Sequence, residues 1–245
     1  MANISVLILG IGVSITHDAI VDISKYDCTI VWSGMNMNYF YTYGMTATNS
    51  SKNIMQQCRC HESKTLHTTV VRNMYHLRYP EEHLKSKSEQ ELLGLEGIKM
   101  QNYYSKLAQE HGIEWKERTY HVEDFDSQDD INKCITTANQ LLYSIVCSVI
   151  VSLGYSPAIG FVHKGNMLSF VYDISDLYKE NLILPFVFAY CGRGENNLRQ
   201  LRNELFMKLC DIKFMKQIVN DIGYIFSNTI SDEKMIEDEV NFEKF

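Results

Sequence analysis

From residue 53 to residue 227 the apolar residues recur at helical spacing with few breaks, and only three prolines stand in the whole chain to interrupt them. Such a run cannot be laid down as a sheet, because strands alternate with period two and helices repeat about every 3.6 residues. The spacing predicts helices near 53–78, 87–111, 130–154, 171–191 and 197–227. With 45% apolar residues in 245, the chain has ample material for a packed core. Its most apolar stretch, 141–153, carries Ser144, Ser148 and Ser152 and falls short of the roughly 20 residues a membrane span needs, so it reads as a buried helix with no membrane partner.

The first 45 residues follow a different rule. Ile4-Ser5-Val6-Leu7-Ile8-Leu9 reads as a strand and Gly10-Ile11-Gly12 as the turn leaving it. Thr16 caps a short helix, Cys28-Thr29-Ile30-Val31-Trp32 is a second strand, and 39–43 a further edge strand rich in aromatics. The Gly10-x-Gly12 pair lacks the third glycine of a dinucleotide fingerprint, and no acidic residue follows the second strand to hold a ribose. A Thr, Ser and Asn cluster within 44–52 marks the best linker candidate.

The net charge of −7 argues against a uniformly basic nucleic-acid coat, yet residues 231–245 carry six Asp and Glu against two Lys and leave the remainder nearer neutral. A basic edge on one face stays open to it. Seven cysteines scattered through apolar segments suit reduced thiols in a cytoplasmic protein better than a disulfide framework. Cys58, Cys60 and His61 have a zinc-like spacing but no second ligand pair downstream.

The chemistry concentrates between residues 158 and 179. His163 sits in a turn flanked by Gly160 and Gly165, and an apolar run then delivers Asp173, Asp176 and Lys179 three residues apart, on one face of a helix. Two readings stand: a cation shared by the imidazole and the carboxylates, or aspartates that merely favour the first turn of a helix. Upstream, Gly94 and Gly97 flank Glu96 inside a predicted helix, where each glycine costs about 1 kcal/mol relative to alanine. Close approach of a ligand backbone is one reason for them, and a tight helix crossing with Glu96 exposed is the other.

Taken together, Leu93-Gly94-Leu95-Glu96-Gly97, Ile131-Asn132-Lys133-Cys134-Ile135, the run from Gly154 through Gly165 and Ser169-Phe170-Val171-Tyr172-Asp173-Ile174-Ser175-Asp176 resemble the CRISPR-associated integrases of the Cas-one family. Order and spacing look most like the type I-E branch, over residues 10–227. The resemblance implies an α+β chain: a reduced β-rich dimerisation domain over 1–45, a linker at 46–52, an all-helical catalytic domain over 53–230 and an acidic flexible tail at 231–245. It implies metal-dependent insertion of short DNA into a CRISPR array, with Glu96, His163 and Asp176 matching the family's metal ligands and Asp173 the acidic residue beside them. Lys179, Arg118 and Tyr120 fall where family members place groups close to DNA. Lys64, Arg72, Arg199 and Arg202 are further phosphate-binding candidates. Several strands that family members carry before the one at Ile4 are missing, which likens the chain to the compact integrases beside some type V effectors.

The chemistry so implied is a transesterification in which a 3′ hydroxyl attacks a phosphodiester. Charge builds on the nonbridging and leaving oxygens, and a divalent cation neutralises it. Two carboxylates and one imidazole suit Mg²⁺ or Mn²⁺ more than a closed zinc site. The same site run with water is an endonuclease. The implied partners are double-stranded DNA, a second copy in a homodimer, a tetramer on DNA, and the small protein Cas-two as an open requirement. A transposase-like or repair nuclease relative and an inactive DNA-capture subunit are the competing readings.

Overall fold

The computed structural model describes residues 6–26, 28–34, 40–44, 48, 50–80, 89–119, 125, 127–227 and 229. The architecture is α+β: a small three-stranded sheet near the N-terminus followed by helices. Strand β1 (Val6–Leu9) pairs parallel with β2 (Thr29–Ser33), joined through helix α1 (His17–Lys25), and β2 pairs antiparallel with β3 (Phe40–Tyr43). Thr16 starts α1 by accepting a hydrogen bond from the Ala19 N–H at 3.2 Å. The strand, helix, strand reading of the first segment therefore matches the structure. The acidic tail at 231–245 and parts of the linker at 46–52 lie outside the described residues.

Three of the long predicted helices are divided. The run 53–78 forms α2 (Lys52–Glu62) and α3 (Lys64–Arg78), separated at Ser63, whose backbone N–H closes the first while its hydroxyl caps the second at the Leu66 N–H. A serine that satisfies both ends offers the backbone an alternative to continuing. The run 197–227 forms α8 (Leu198–Asp211) and α9 (Phe214–Ile225), divided at Lys213, which adopts a left-handed φ of 52°. The run 171–191 forms α6 (Ser169–Tyr178) and α7 (Leu184–Gly192), joined by a π-helical turn (Lys179–Ile183). Pro185 has no N–H to give the Asn181 carbonyl, and the ladder slips so that the Leu184 N–H reaches the Lys179 carbonyl instead.

Helices α4 (Glu89–His111) and α5 (Asp130–Ser152) keep nearly their expected lengths. Asp129 caps α5 at the Asn132 N–H, 2.9 Å away. α5 is the core of the fold, packed against α6, α7, α8 and α9 and against β1 and β2. Leu141, Leu142, Val146, Ile150 and Val151 on it are wholly buried. Among the described residues it is the one helix long and apolar enough to cross a membrane, and 89% of its most apolar window is buried in the protein. All seven cysteines are free thiols.

The loop between α5 and α6 carries His163 and is tied down from α2. Gln57 is fully buried, and its amide donates to the Ser156 and Ile159 carbonyls at 3.0 and 2.9 Å while its oxygen accepts from the Ser156 N–H at 2.8 Å. Replacing Gln57 with Leu leaves two carbonyls and an N–H without partners, so the variant should lose about 3 kcal/mol of stability. Urea unfolding checks this, a shift in midpoint with unchanged slope being the expected result.

Candidate active site

The site is built on one carboxylate. Asp173, on the second turn of α6, has a side chain of 0% exposure. It accepts from the backbone N–H groups of Phe161 at 2.5 Å, Val162 at 3.3 Å and His163 at 2.8 Å. Its Oδ1 also takes the His163 Nδ1–H at 2.8 Å. Successive N–H groups converging on one anion form a nest, here around a side chain of the same protein. The helix begins at Ser169, so neither aspartate lies in its first turn, and the capping explanation fails for both.

The loop closes onto α6 because Gly160 permits it. A Cβ there would stand 2.4 Å from the His163 carbonyl oxygen and 2.7 Å from the Ser169 Cβ. The His61 Nδ1–H donates to the Gly160 carbonyl at 3.1 Å, and Phe161 fills the core beneath, edge-on to Phe170 and Phe226.

With Nδ1 committed to Asp173, the imidazole presents Nε2 outward, 3.7 Å from Asp176 Oδ2. The other oxygen of Asp176 receives Lys179 Nζ at 2.6 Å. Burial pulls the Lys179 ammonium down, but Asp176 and a hydrogen bond with Tyr143 outweigh it and raise the group, so Lys179 is a standing positive charge. Its Nζ lies 5.0 Å from the centre of the Tyr143 ring, and Tyr143 meets Tyr172 edge-on, which in turn meets His163. Behind the aspartates, Met74, Tyr75, Arg78, Val162 and Leu177 line a cavity of about 20 Å³ with them, room for about one water. Arg78, buried, pairs at 3.9 Å with Glu180 on the π turn.

Sequence reasoning did not place Tyr143, Tyr172 or Arg78 at this site, and Arg78, which reads as part of a solvated basic edge with Lys64 and Arg72, is buried. Tyr172 adjoins Asp173 and was within reach of it, whereas Tyr143 and Arg78 join the site only through the packing of α5 and α3 on α6.

Glu96 lies on α4, but its side chain is outside the described residues, as is Tyr120. Gly94 and Gly97 beside it are exposed, and among the described residues nothing stands within 4 Å of where a Cβ would be, so no tight helix crossing is formed there by the described residues. Arg118 is tied to the start of α5, its guanidinium donating to Asn132 Oδ1 at 2.8 Å, to Thr136 Oγ1 at 2.9 Å and to the Thr119 carbonyl. Lys64 and Arg72 are exposed on α3, and Arg199 is exposed on α8. Arg202 is half-buried one turn beyond Arg199, and burial together with that neighbouring charge lowers its pKa. Cys60 faces the core while Cys58 and His61 line a separate cavity, so the zinc reading is not carried. Among the described residues no three His, Cys, Asp or Glu side chains are placed to hold a metal. His163 and Asp176 supply two, with an imidazole whose far nitrogen is fixed by a carboxylate, as a metal-binding histidine requires.

The hydrogen bond to Asp173 raises the His163 pKa above its ordinary 6.5, against burial and with help from Asp176. The charged pair therefore adds stability that is fully present below the unfolded histidine's midpoint and is lost as pH rises through the raised folded one. Asp173→Asn should bring the His163 midpoint down towards the ordinary value, read by NMR titration of its ring protons. It should also cost about 3 kcal/mol by setting an amide against N–H donors.

A family model described as "CRISPR associated protein Cas1" matches residues 76–209. The chain is 33% identical over 227 residues to "CRISPR-associated endonuclease Cas1 2" of Thermus thermophilus, covering 92% of this chain and 70% of that protein. It is 30% identical over 227 residues to the protein of the same description from Chlorobaculum tepidum, covering 92% and 77%. The crystal structure of a TtCas1-DNA complex superposes with a TM-score of 0.78 at 34% identity, over 91% of this chain and 84% of that one.

Proposed function

The chain belongs to the CRISPR-associated Cas1 family, whose relatives are described as endonucleases, and from that premise we propose that it is the DNA integrase of CRISPR adaptation. It joins the 3′ hydroxyl ends of short double-stranded DNA to the repeat by transesterification, and cleaves DNA when water takes the place of the hydroxyl. The observation that carries this reading is His163 Nε2 set 3.7 Å from Asp176 Oδ2 by the bond from Nδ1 to Asp173.

The donor set fits a divalent cation of the Mg²⁺ or Mn²⁺ kind: one imidazole nitrogen and one free carboxylate oxygen on α6 and its loop, with Glu96 of α4 as the third ligand. Bound there, such a cation supplies neutralisation of the charge that develops on the phosphate oxygens. Asp173 holds the ring orientation and tautomer of His163. Lys179, a permanent cation beside Asp176, binds a nonbridging phosphate oxygen and keeps it turned towards the site. The exposed Gly94 and Gly97 turns let a DNA backbone approach Glu96 closely. Lys64, Arg72, Arg118, Arg199, Arg202 and Tyr120 extend the contact along the duplex. Two ends must be joined at opposite edges of a repeat, so the working particle is a homodimer that becomes a tetramer on DNA.

A labelled short duplex and a plasmid bearing a repeat test the reaction class. Covalent transfer should appear with Mn²⁺ and vanish with chelator, and Glu96→Ala, His163→Ala and Asp176→Ala should each lower it by roughly 1,000-fold or more with duplex binding retained. Near-normal transfer by two of the three overturns the ligand assignment. The DNA affinity should fall by roughly 10³-fold between about 50 and about 200 mM salt, as phosphate-dominated binding requires. Mass measurement of the complex should give a tetramer, a monomer on DNA refuting the assembly.

A further inference from the structure

Glu96 has to meet His163 and Asp176 from a separate helix, so something must seat that helix. Lys99, Met100 and Tyr103 stand three, four and seven residues after Glu96, the spacing of one helix face. All three are half-buried, and Met100 and Tyr103 pack against the apolar core, whereas Gly94, Gly97, Gln101 and Asn102 are exposed. By that spacing position 96 belongs to the inward face of α4. The later half of α4 is fixed on its own account, with Tyr104 stacked on Trp115 and tilted against Phe188, and with Leu107 and Ala108 buried. The earlier half is tied to the site through one ring. Lys99 Nζ lies 4.2 Å from the centre of the Tyr79 ring, and the Arg78 guanidinium carbon lies 5.2 Å from the same centre. Tyr79 closes α3 through its N–H to the Tyr75 carbonyl at 2.8 Å and stacks on the Tyr75 ring. Tyr75 and Arg78 in turn line the small cavity behind Asp173 and Asp176, and Arg78 pairs with Glu180, the residue after Lys179. The ring is thus held from the side of the aspartates, and Lys99 is where α4 takes hold of it.

We propose that Tyr79 is a positioning residue: its ring seats the first half of α4 through the Lys99 ammonium and so sets Glu96 against His163 and Asp176. The proposal rests on the reading of Glu96 as the third metal ligand. A cation over an aromatic face is attracted by the ring quadrupole, and more strongly where water is kept away, as it is between two half-buried side chains. Glu96 stands three residues before Lys99, about 4.5 Å along the helix axis, so a helix pinned at Lys99 fixes Glu96 within one turn. Tyr79 acts through Lys99 and touches no reacting atom. The contact needs an aromatic ring on one side and a cation on the other, which makes Tyr79→Phe and Lys99→Arg the conservative variants, and Tyr79→Leu and Lys99→Met the disruptive ones.

The test has two readouts on the full chain without DNA. Amide hydrogen exchange followed by mass spectrometry should show residues 92–103 of α4 opening about tenfold more readily in Tyr79→Leu and in Lys99→Met, with α5 unchanged and both conservative variants like wild type. Unchanged protection of 92–103 in the two disruptive variants overturns the proposal, and so does a loss spread equally over α5, which would make Tyr79 a general core residue. Mn²⁺ affinity, read from the paramagnetic resonance of the free ion, should weaken by about tenfold in Tyr79→Leu, a change that alters no charge. In a Glu96→Ala background the same substitution should have no effect, because residues acting through one group are not additive. A Mn²⁺ affinity unchanged by Tyr79→Leu, or a loss that persists without Glu96, overturns the route through Glu96. Wild type and Glu96→Ala binding Mn²⁺ alike would instead refute the ligand reading, and the exchange measurement, made without metal, still decides whether Tyr79 seats α4. Lys99→Met at a half-buried position gives the answer if Tyr79→Leu fails to fold.

Discussion

A single buried carboxylate organises the catalytic end of this protein. Asp173 has room for about four hydrogen bonds on its two oxygens, and it receives three backbone N–H groups and the His163 ring. A charge placed out of water is tolerated only when its lone pairs are so completely satisfied. The same bonds that make its burial affordable draw the loop 160–163 down onto α6 and fix which imidazole nitrogen faces Asp176. Fold stability and site geometry are one network here, and neither can be altered at Asp173 without the other.

Around that network the elements have distinct tasks. α5 supplies the apolar mass against which α6 is pressed, and α2 holds the loop through Gln57 and His61. The π turn after α6 places Lys179 on Asp176 and Glu180 against Arg78 within consecutive residues. An unbroken α-helix would carry everything after the turn about 100° away from its present face for each residue of slippage, so α7 could not meet both α4 and α5 as it does. A feature caused by Pro185 thereby couples the candidate site to the helix that carries Glu96.

Much of the site was legible because its parts are close in sequence. Asp173, Asp176 and Lys179 at three-residue intervals declare a shared helix face, and glycines on both sides of His163 declare a turn. Residues that join through packing left no such signal. Tyr143 and Arg78 come from helices about 30 and about 100 residues away along the chain, and spacing arguments reach only a few turns. The divided helices were illegible for a related reason: the apolar period continues through Ser63 and Lys213, and only the backbone's own hydrogen bonds and left-handed φ record the breaks. Gly94 and Gly97 were flagged correctly as unusual, while the choice between a crowded crossing and an open surface needed coordinates.

What the sequence determined by itself was the α+β class, the order of strand and helix around α1, the burial of α5 and the family whose motifs surround Glu96, His163 and Asp176. These follow from periodicity and from residue identity, which are local properties of the chain. Tertiary structure alone decided that Asp173 turns its carboxylate inward to the loop and Asp176 turns outward to His163 and Lys179. Both are aspartates on one face of one helix, three residues apart. Their roles separate because one meets three converging N–H groups in the dry interior and the other meets an imidazole and an ammonium at its edge.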